Sequence, residues 1–366
     1  MANKNKVVYL FGAGASQGEV SLYGSPTRIL MQDIVDGISS RIARERIEAL
    51  LEVNNELTIE GIDVEHLITL YESSGTQKHS LIAKELRRLF REEILARISS
   101  LGGSFSPTLF ASLIEMHLIP DFDEELVAIL TINYEDLIEH AMHLVKGGIN
   151  YLMKIINRHP TYNVEETSIP ILKLHGSFNW KNEYPIVLAG AIESEDDVLW
   201  IPPGVVKRRE YYPFSLIWGR AKELLECDIL RVIGCSLSRN DWELISLLYT
   251  TQKLRTDGRS YRMELIDSPV TCERIKEDYK YLKIQTILDI PVVRDYLIRE
   301  FFPHYAGKPV TEEILNELRQ GITSDRYNIF AIWLRAMGEK LRDSGISLAI
   351  GGGNYFENFV KSGLGI

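Results

Sequence analysis

Ile171-Leu-Lys-Leu-His-Gly-Ser-Phe-Asn-Trp180 decides the reading of this chain. A short apolar run delivers a histidine, His175, to its carboxyl end, and a glycine and a serine follow at once. Three other segments share the form of apolar strand, small or polar turn, then helix. They are Val7-Val-Tyr-Leu-Phe-Gly-Ala-Gly-Ala-Ser16, Val127-Ala-Ile-Leu-Thr-Ile-Asn-Tyr-Glu-Asp136 and Ile229-Leu-Arg-Val-Ile-Gly-Cys-Ser-Leu-Ser238. Continuous apolar runs of this length suit strands buried on both faces of a parallel sheet.

Outward from these segments, strand character occurs at 126–133, 170–175, 198–202, 228–234 and 262–267, with helical patterns at 134–146, 214–226 and 240–255. That alternation predicts an α/β protein built on a doubly wound parallel sheet. Residues from about 26 to 118 read instead as a helical insertion between the first two strands of the sheet. Arg41 to Leu51 has apolar residues at helical spacing, Asp63 is placed to cap a helix reaching Tyr71, and Ser80 to Ser99 is charged and amphipathic. Residues 286–366 form a helical C-terminal region, with Gly351-Gly-Gly-Asn354 as a flexible connection. The expected organisation is a domain over 1–285 and a C-terminal extension over 286–366.

The composition is that of an ordinary globular protein, 45% hydrophobic and 25% charged over 366 residues. A net charge of −10 opposes nonspecific binding to nucleic acid, even with a local run such as Lys207-Arg-Arg209. Cys227, Cys235 and Cys272 lack the paired spacing of a disulfide framework or a four-cysteine zinc site. No segment approaches the ~20 apolar residues that span a bilayer. The expectation is a reduced, cytoplasmic protein with no metal, no membrane contact and no direct nucleic-acid partner.

Each strand end carries its own chemistry. The turn Gly12-Ala-Gly-Ala-Ser-Gln-Gly18 lets backbone approach a pyrophosphate at a helix N-terminus, or serves only as a tight strand-to-helix connection. Its spacing, and the helical character of Met31 to Ile38 where a second strand with a terminal acid would fall, argue against a hydride-transfer dinucleotide enzyme. Asn133 reads either as a helix N-cap, with Asp136 at capping-box distance, or as an amide aimed into the crevice at the carboxyl edge of the sheet. His175, at a strand end with glycine clearing space beside it, suits a general base of near-neutral pKa. Gly234 and Ser236 offer close approach and a hydroxyl to a phosphate or ribose. Asp267 offers a carboxylate for ribose hydroxyls, or is a solvated turn before Pro269.

The order GAGAS, TxNY(D/E), KLHGS, GxSLxxxD resembles the sirtuin-like domain of bacterial antiphage NADases, over residues 7 to about 267, roughly three quarters of the chain. The resemblance implies a Rossmann-like sheet holding NAD, as substrate, across its carboxyl edge, with a helical subdomain closing over it. Carried over by position, Gly12, Ala13, Gly14 and Ser16 would cradle the pyrophosphate. Asn133 and His175 would flank the nicotinamide–ribose bond, and Gly234 and Ser236 would meet the adenosine-side phosphate and ribose. Arg28 occupies roughly the place of the family's Gly-Ile-Pro-x-Phe-Arg arginine, with one residue missing. Glu135 stands where family members usually carry aspartate. With no zinc module possible, the implied activity is NAD+ hydrolysis to nicotinamide and ADP-ribose, gated by oligomerisation or by a partner such as a HerA-type ATPase ring docking on the C-terminal helices. The alternatives are an NAD or ADP-ribose sensor without turnover, and a zinc-less deacylase or ADP-ribosyltransferase.

Overall fold

A computed structural model describes residues 4–22, 26–58, 64–103, 105–166, 168–204, 207, 209–253, 261–324, 326–350 and 354–362. The expected cap at Asp63, the middle of the 207–209 basic run and Gly351 to Gly353 lie outside them. Strand β1 (Asn5–Phe11) runs into helix α1 (Ala13–Ser21), followed by α2 (Met31–Glu45), α3 (Glu48–Asn54), α4 (Val64–Ser73), α5 (Gln77–Ser99) and α6 (Thr108–Met116). Then come β2 (Glu124–Thr131), α7 (Leu137–Lys146), β3 (Ile155–Arg158), β4 (Ile171–Lys173), β5 (Gly176–Lys181), β6 (Ile186–Ala189) and β7 (Val198–Trp200). The remainder is α8 (Phe214–Leu224), β8 (Ile229–Ile233), α9 (Trp242–Lys253), β9 (Arg262–Ile266), α10 (Pro269–Asp278), β10 (Ile284–Thr286), α11 (Pro291–Phe301), α12 (Glu312–Gly321), α13 (Ile329–Asp343) and α14 (Tyr355–Lys361).

Six strands form one parallel sheet in the order β10-β9-β8-β1-β2-β4. Growth from β1 in both directions gives the Rossmann-like order, with its topological switch point between β1 and β8. The expected α/β fold with its helical insertion is therefore present. Five strand assignments change, since β3, β5, β6 and β10 were not expected and β7 pairs elsewhere. The segment at 198–202 does not join this sheet; β7 is the outer strand of a second, mixed sheet, β3-β6-β5-β7, paired antiparallel to β5. The edge strand β10 went unread because three residues with a polar Gln285 at their centre give no periodic signal.

The continuous helix expected from Arg41 to Leu51 is broken. Arg46 adopts the left-handed conformation (φ 51°) and closes α2, and α3 starts two residues later. Ile42, Leu50 and Val53 still share one core, so the apolar spacing survived while the backbone turned. That core unites α2–α5 with Phe178, Ile192, Val198 and Trp200, so the helical insertion is completed by the second sheet.

The larger core surrounds the parallel sheet and takes in the C-terminal helices. On α13, Phe330 packs by Phe11 and Phe110, and Trp333 meets Tyr9 edge-on at 6.2 Å. Beneath Trp333, buried Arg231 on β8 is held bidentate by Glu124 of β2 (2.5 and 2.6 Å) and by Glu264 of β9 (2.7 Å). Removing one partner of such a desolvated set would strand a charge, so the network ties three strands into one register. Glu19 of α1, wholly buried, accepts from the Leu109 and Phe110 amides and so satisfies the N-terminus of α6.

Candidate functional site

At the switch point two turns cross. The Gly12 amide donates to the Ile233 carbonyl (3.1 Å) and the Gly14 amide to the Gly234 carbonyl (2.8 Å). Gly234 has φ +58°, and a Cβ there would lie 2.0 Å from the Ala15 nitrogen; one at Gly12 would lie 2.6 Å from the Cys235 Cα. The glycines are thus required by this backbone-on-backbone crossing, before any ligand is considered.

Beside the crossing lies a cavity of about 980 Å³, at the upper end of the size typical of ligand sites. Of the residues singled out in the sequence, Gly14, Arg28, Gly234 and Asp267 line it. Arg28 is exposed, on a segment held to α1 by Gln17, which accepts from the Ile29 amide (2.7 Å) and donates to the Thr27 carbonyl (3.4 Å). Asp267 is no solvated turn. Ser268 caps α10, while burial raises the pKa of the Asp267 carboxyl, opposed by the Ser268 amide (2.6 Å) and Thr271. The opposite wall was not foreseen: Arg326, Asn328 and Arg335 reach it from the C-terminal region. Arg335 is buried, stacked over Phe359 with its guanidinium 4.4 Å from the ring centroid, and bonded to Ser362. Nothing in its surroundings in sequence marks it, because the helical pattern of α13 reads as ordinary packing.

Gly12, Ala13, Ser16, Asn133, His175 and Ser236 are not among the lining residues. Ala13 and Ser236 are exposed. Asn133 does not cap α7; Asp136 is the residue at that position. Instead the buried Asn133 amide donates to the Gly12 carbonyl (3.0 Å) and to Ser16 Oγ (2.9 Å), and Ser16 Oγ donates to Glu135. The end of β2 is thereby clamped to the glycine turn, and the Ser16 hydroxyl is engaged by Asn133 and Glu135.

His175 sits between β4 and β5, 3% exposed, with its carbonyl accepting from the Ile201 amide (2.8 Å). Gly176 (φ +78°) does not clear space beside it, for a Cβ there would lie 2.5 Å from the Leu199 carbonyl oxygen. Burial, reinforced by Lys207 and opposed by Glu65, lowers the imidazole pKa to about 3 rather than leaving it near neutral. A neutral imidazole at pH 7 is a hydrogen-bonding group of low basicity, whose proton affinity rises only if the site opens or the charge balance changes.

Around it sequence reasoning missed a buried polar cluster. Lys207 Nζ lies 2.8 Å from Glu65 Oε1 and 3.6 Å from Asp241 Oδ1; Asn240 Nδ2 donates to Glu65 Oε2 (2.8 Å); His175 Nε2 is 3.7 Å from Asp241 Oδ1. Glu65 comes from α4, so the cluster fastens the helical insertion to the sheet edge. The available signals were the final Asp241 of the GxSLxxxD motif and the Lys207-Arg-Arg209 run, whose Lys207 is buried. Among the described residues no group of three or more His, Cys, Asp or Glu side chains could hold a metal ion, and no helix is long and apolar enough to cross a membrane.

No family model and no curated protein matches this chain. Solved structures similar to it include a Sir2 homologue–NAD complex (16% identity, 83% of this chain and 91% of that one, TM-score 0.37). Another is an ADP-ribose complex of a Sir2 homologue mutant (15%, 84% and 96%, TM-score 0.38). A third is Sir2Tm bound to a propionylated peptide (13%, 81% and 93%, TM-score 0.36).

Proposed function

We propose that this chain is an NAD+ hydrolase that cleaves the nicotinamide–ribose bond. The observation that carries the reading is the 980 Å³ cavity at the switch point of a Rossmann-ordered sheet, lined by Gly14, Gly234, Asp267 and three arginines. Guanidinium groups suit a pyrophosphate, and the single strand-end carboxylate suits ribose hydroxyls. Asn133 and His175 stand just beyond β2 and β4, neighbours in the sheet, where the nicotinamide half would extend.

In the reaction the C1′–N bond breaks and its electron pair leaves with nicotinamide, now a neutral pyridine. Water oxygen bonds to C1′ and one proton is released. Asn133 would orient ribose or water, and His175 would take the proton or hold the ribose hydroxyls. Because both side chains are sealed in the described arrangement, turnover requires the Glu65–Lys207 closure to loosen. That requirement supports a gated enzyme, released by self-association or by a HerA-type ATPase partner acting on residues 286–366. NAD depletion in antiphage defence is the role such gating would serve.

The test is NAD consumption with product identification for wild type, His175→Ala and Asn133→Ala, with and without infected-cell lysate. Nicotinamide release by wild type, lost in both variants while they remain folded, is the expected outcome. Binding of NAD or ADP-ribose without turnover under any condition would replace the hydrolase with a sensor, a reading favoured by the placement of Asn133 and His175 outside the cavity lining.

A further inference from the structure

Asp241 ends the Gly234–Asp241 motif and stands directly before α9, where its carbonyl accepts from the Ile245 amide. A side chain there ordinarily caps the helix. Among the described residues no amide of α9 donates to this carboxylate. Its Oδ1 is buried without a hydrogen-bond partner, facing Lys207 Nζ at 3.6 Å and His175 Nε2 at 3.7 Å. The N-terminus of α9 favours an anion at this place.

Charge bookkeeping explains what that anion faces. Lys207 is engaged by Glu65 at 2.8 Å, and the other Glu65 oxygen is fixed by Asn240. Lys207 thus lies between two carboxylates, Glu65 at 2.8 Å and Asp241 at 3.6 Å, and one ammonium facing two carboxylates leaves net negative charge beside the imidazole. Among the described residues, the charged or titratable groups around His175 include Glu65 from α4, Tyr134 beyond β2 (ring centroids 6.2 Å apart), Lys207 before α8, and Asp241. Arg209 lies farther out, over Trp218, whose ring is 6.5 Å from the imidazole.

We propose that Asp241 is the positioning residue of the site: it orients His175 through Nε2–H and compensates the positive charge that His175 acquires when it takes the proton released on bond cleavage. This rests on the hydrolase reading above. Glu65 and Lys207 flank the pair in the closed arrangement.

Steady-state NAD hydrolysis by wild type and Asp241→Asn, which keeps the shape and removes the charge, tests it. The expected result is a kcat about 100-fold lower, typical for loss of acid–base assistance. KM should stay within about twofold, the mark of an interaction made in the transition state. The acid limb of kcat should move to lower pH, since losing the anion makes His175 harder to protonate. A kcat close to wild type, or a fall with no shift of that limb, would overturn the proposal. In the ligand-free protein, ¹⁵N shifts of His175, identified by their absence in His175→Gln, should show the Nε2–H tautomer; the Nδ1–H tautomer would overturn it as well. If wild type releases no nicotinamide yet shows Nε2–H, the hydrolase reading falls and the orientation by Asp241 stands.

Discussion

A histidine sealed from water changes how the whole protein responds to acid. With the His175 pKa at about 3 in the folded state and near 6.5 unfolded, the unfolded chain binds a proton that the native one refuses. Above pH 6.5 this difference has no effect, and as pH falls toward 3 it destabilises the fold. Buried His117, lowered mainly by burial and then by Arg231, acts with the same sign. Unfolding free energies from denaturant titrations between pH 7 and 4.5 should therefore fall more steeply for wild type than for His175→Gln, by up to about 1.4 kcal/mol per pH unit. Equal slopes would show that the imidazole titrates normally. The side chain's position at a strand end was legible from the apolar run before it. Its depressed pKa was not, because it comes mainly from burial and then from Lys207, and both arise only when segments remote in sequence close over the ring. Asn133 illustrates the same limit: its residue type fits a cap and a crevice equally, whereas folding engages its amide with the Gly12 carbonyl and Ser16 Oγ.

At the scale of elements, the glycine turns were the most readable feature, and the reason for them was the least. Apolar runs located β1, β2, β4, β8 and β9 because each is buried along nearly its whole length. The assignment of β7 to a second sheet depends on its pairing with β5, which no local pattern encodes. Gly234 is explained by the crossing of the β1–α1 and β8–α9 turns. Gly234→Ala should accordingly destabilise by about 2–3 kcal/mol or more, adding backbone strain at positive φ to a main-chain clash. Ala at Gly219, where nothing lies within 4 Å, is the control that should not lose stability. A Gly234→Ala variant as stable as wild type would show that the crossing is loose.

For the molecule as a whole, the net charge of −10 hides a cavity whose arginines outnumber its carboxylate. Composition could not reveal this, since Arg28, Arg326 and Arg335 are gathered only by folding. Arg326 is exposed and separate from the core, so Arg326→Ala should leave stability unchanged while weakening ADP-ribose binding about tenfold, the scale of one charge-assisted contact. Calorimetric titration at two salt concentrations would check this; an unchanged dissociation constant would remove the C-terminal wall from the ligand's surroundings. That wall also has a consequence during synthesis, when domains form from the amino end onward. A growing polypeptide exposes Gly14 and Arg28 early, but it must wait for some three hundred further residues before Arg326 and Arg335 leave the ribosome. Nascent chains therefore lack the finished cavity, and any ligand that needs both walls can be held only by molecules whose translation has passed that point.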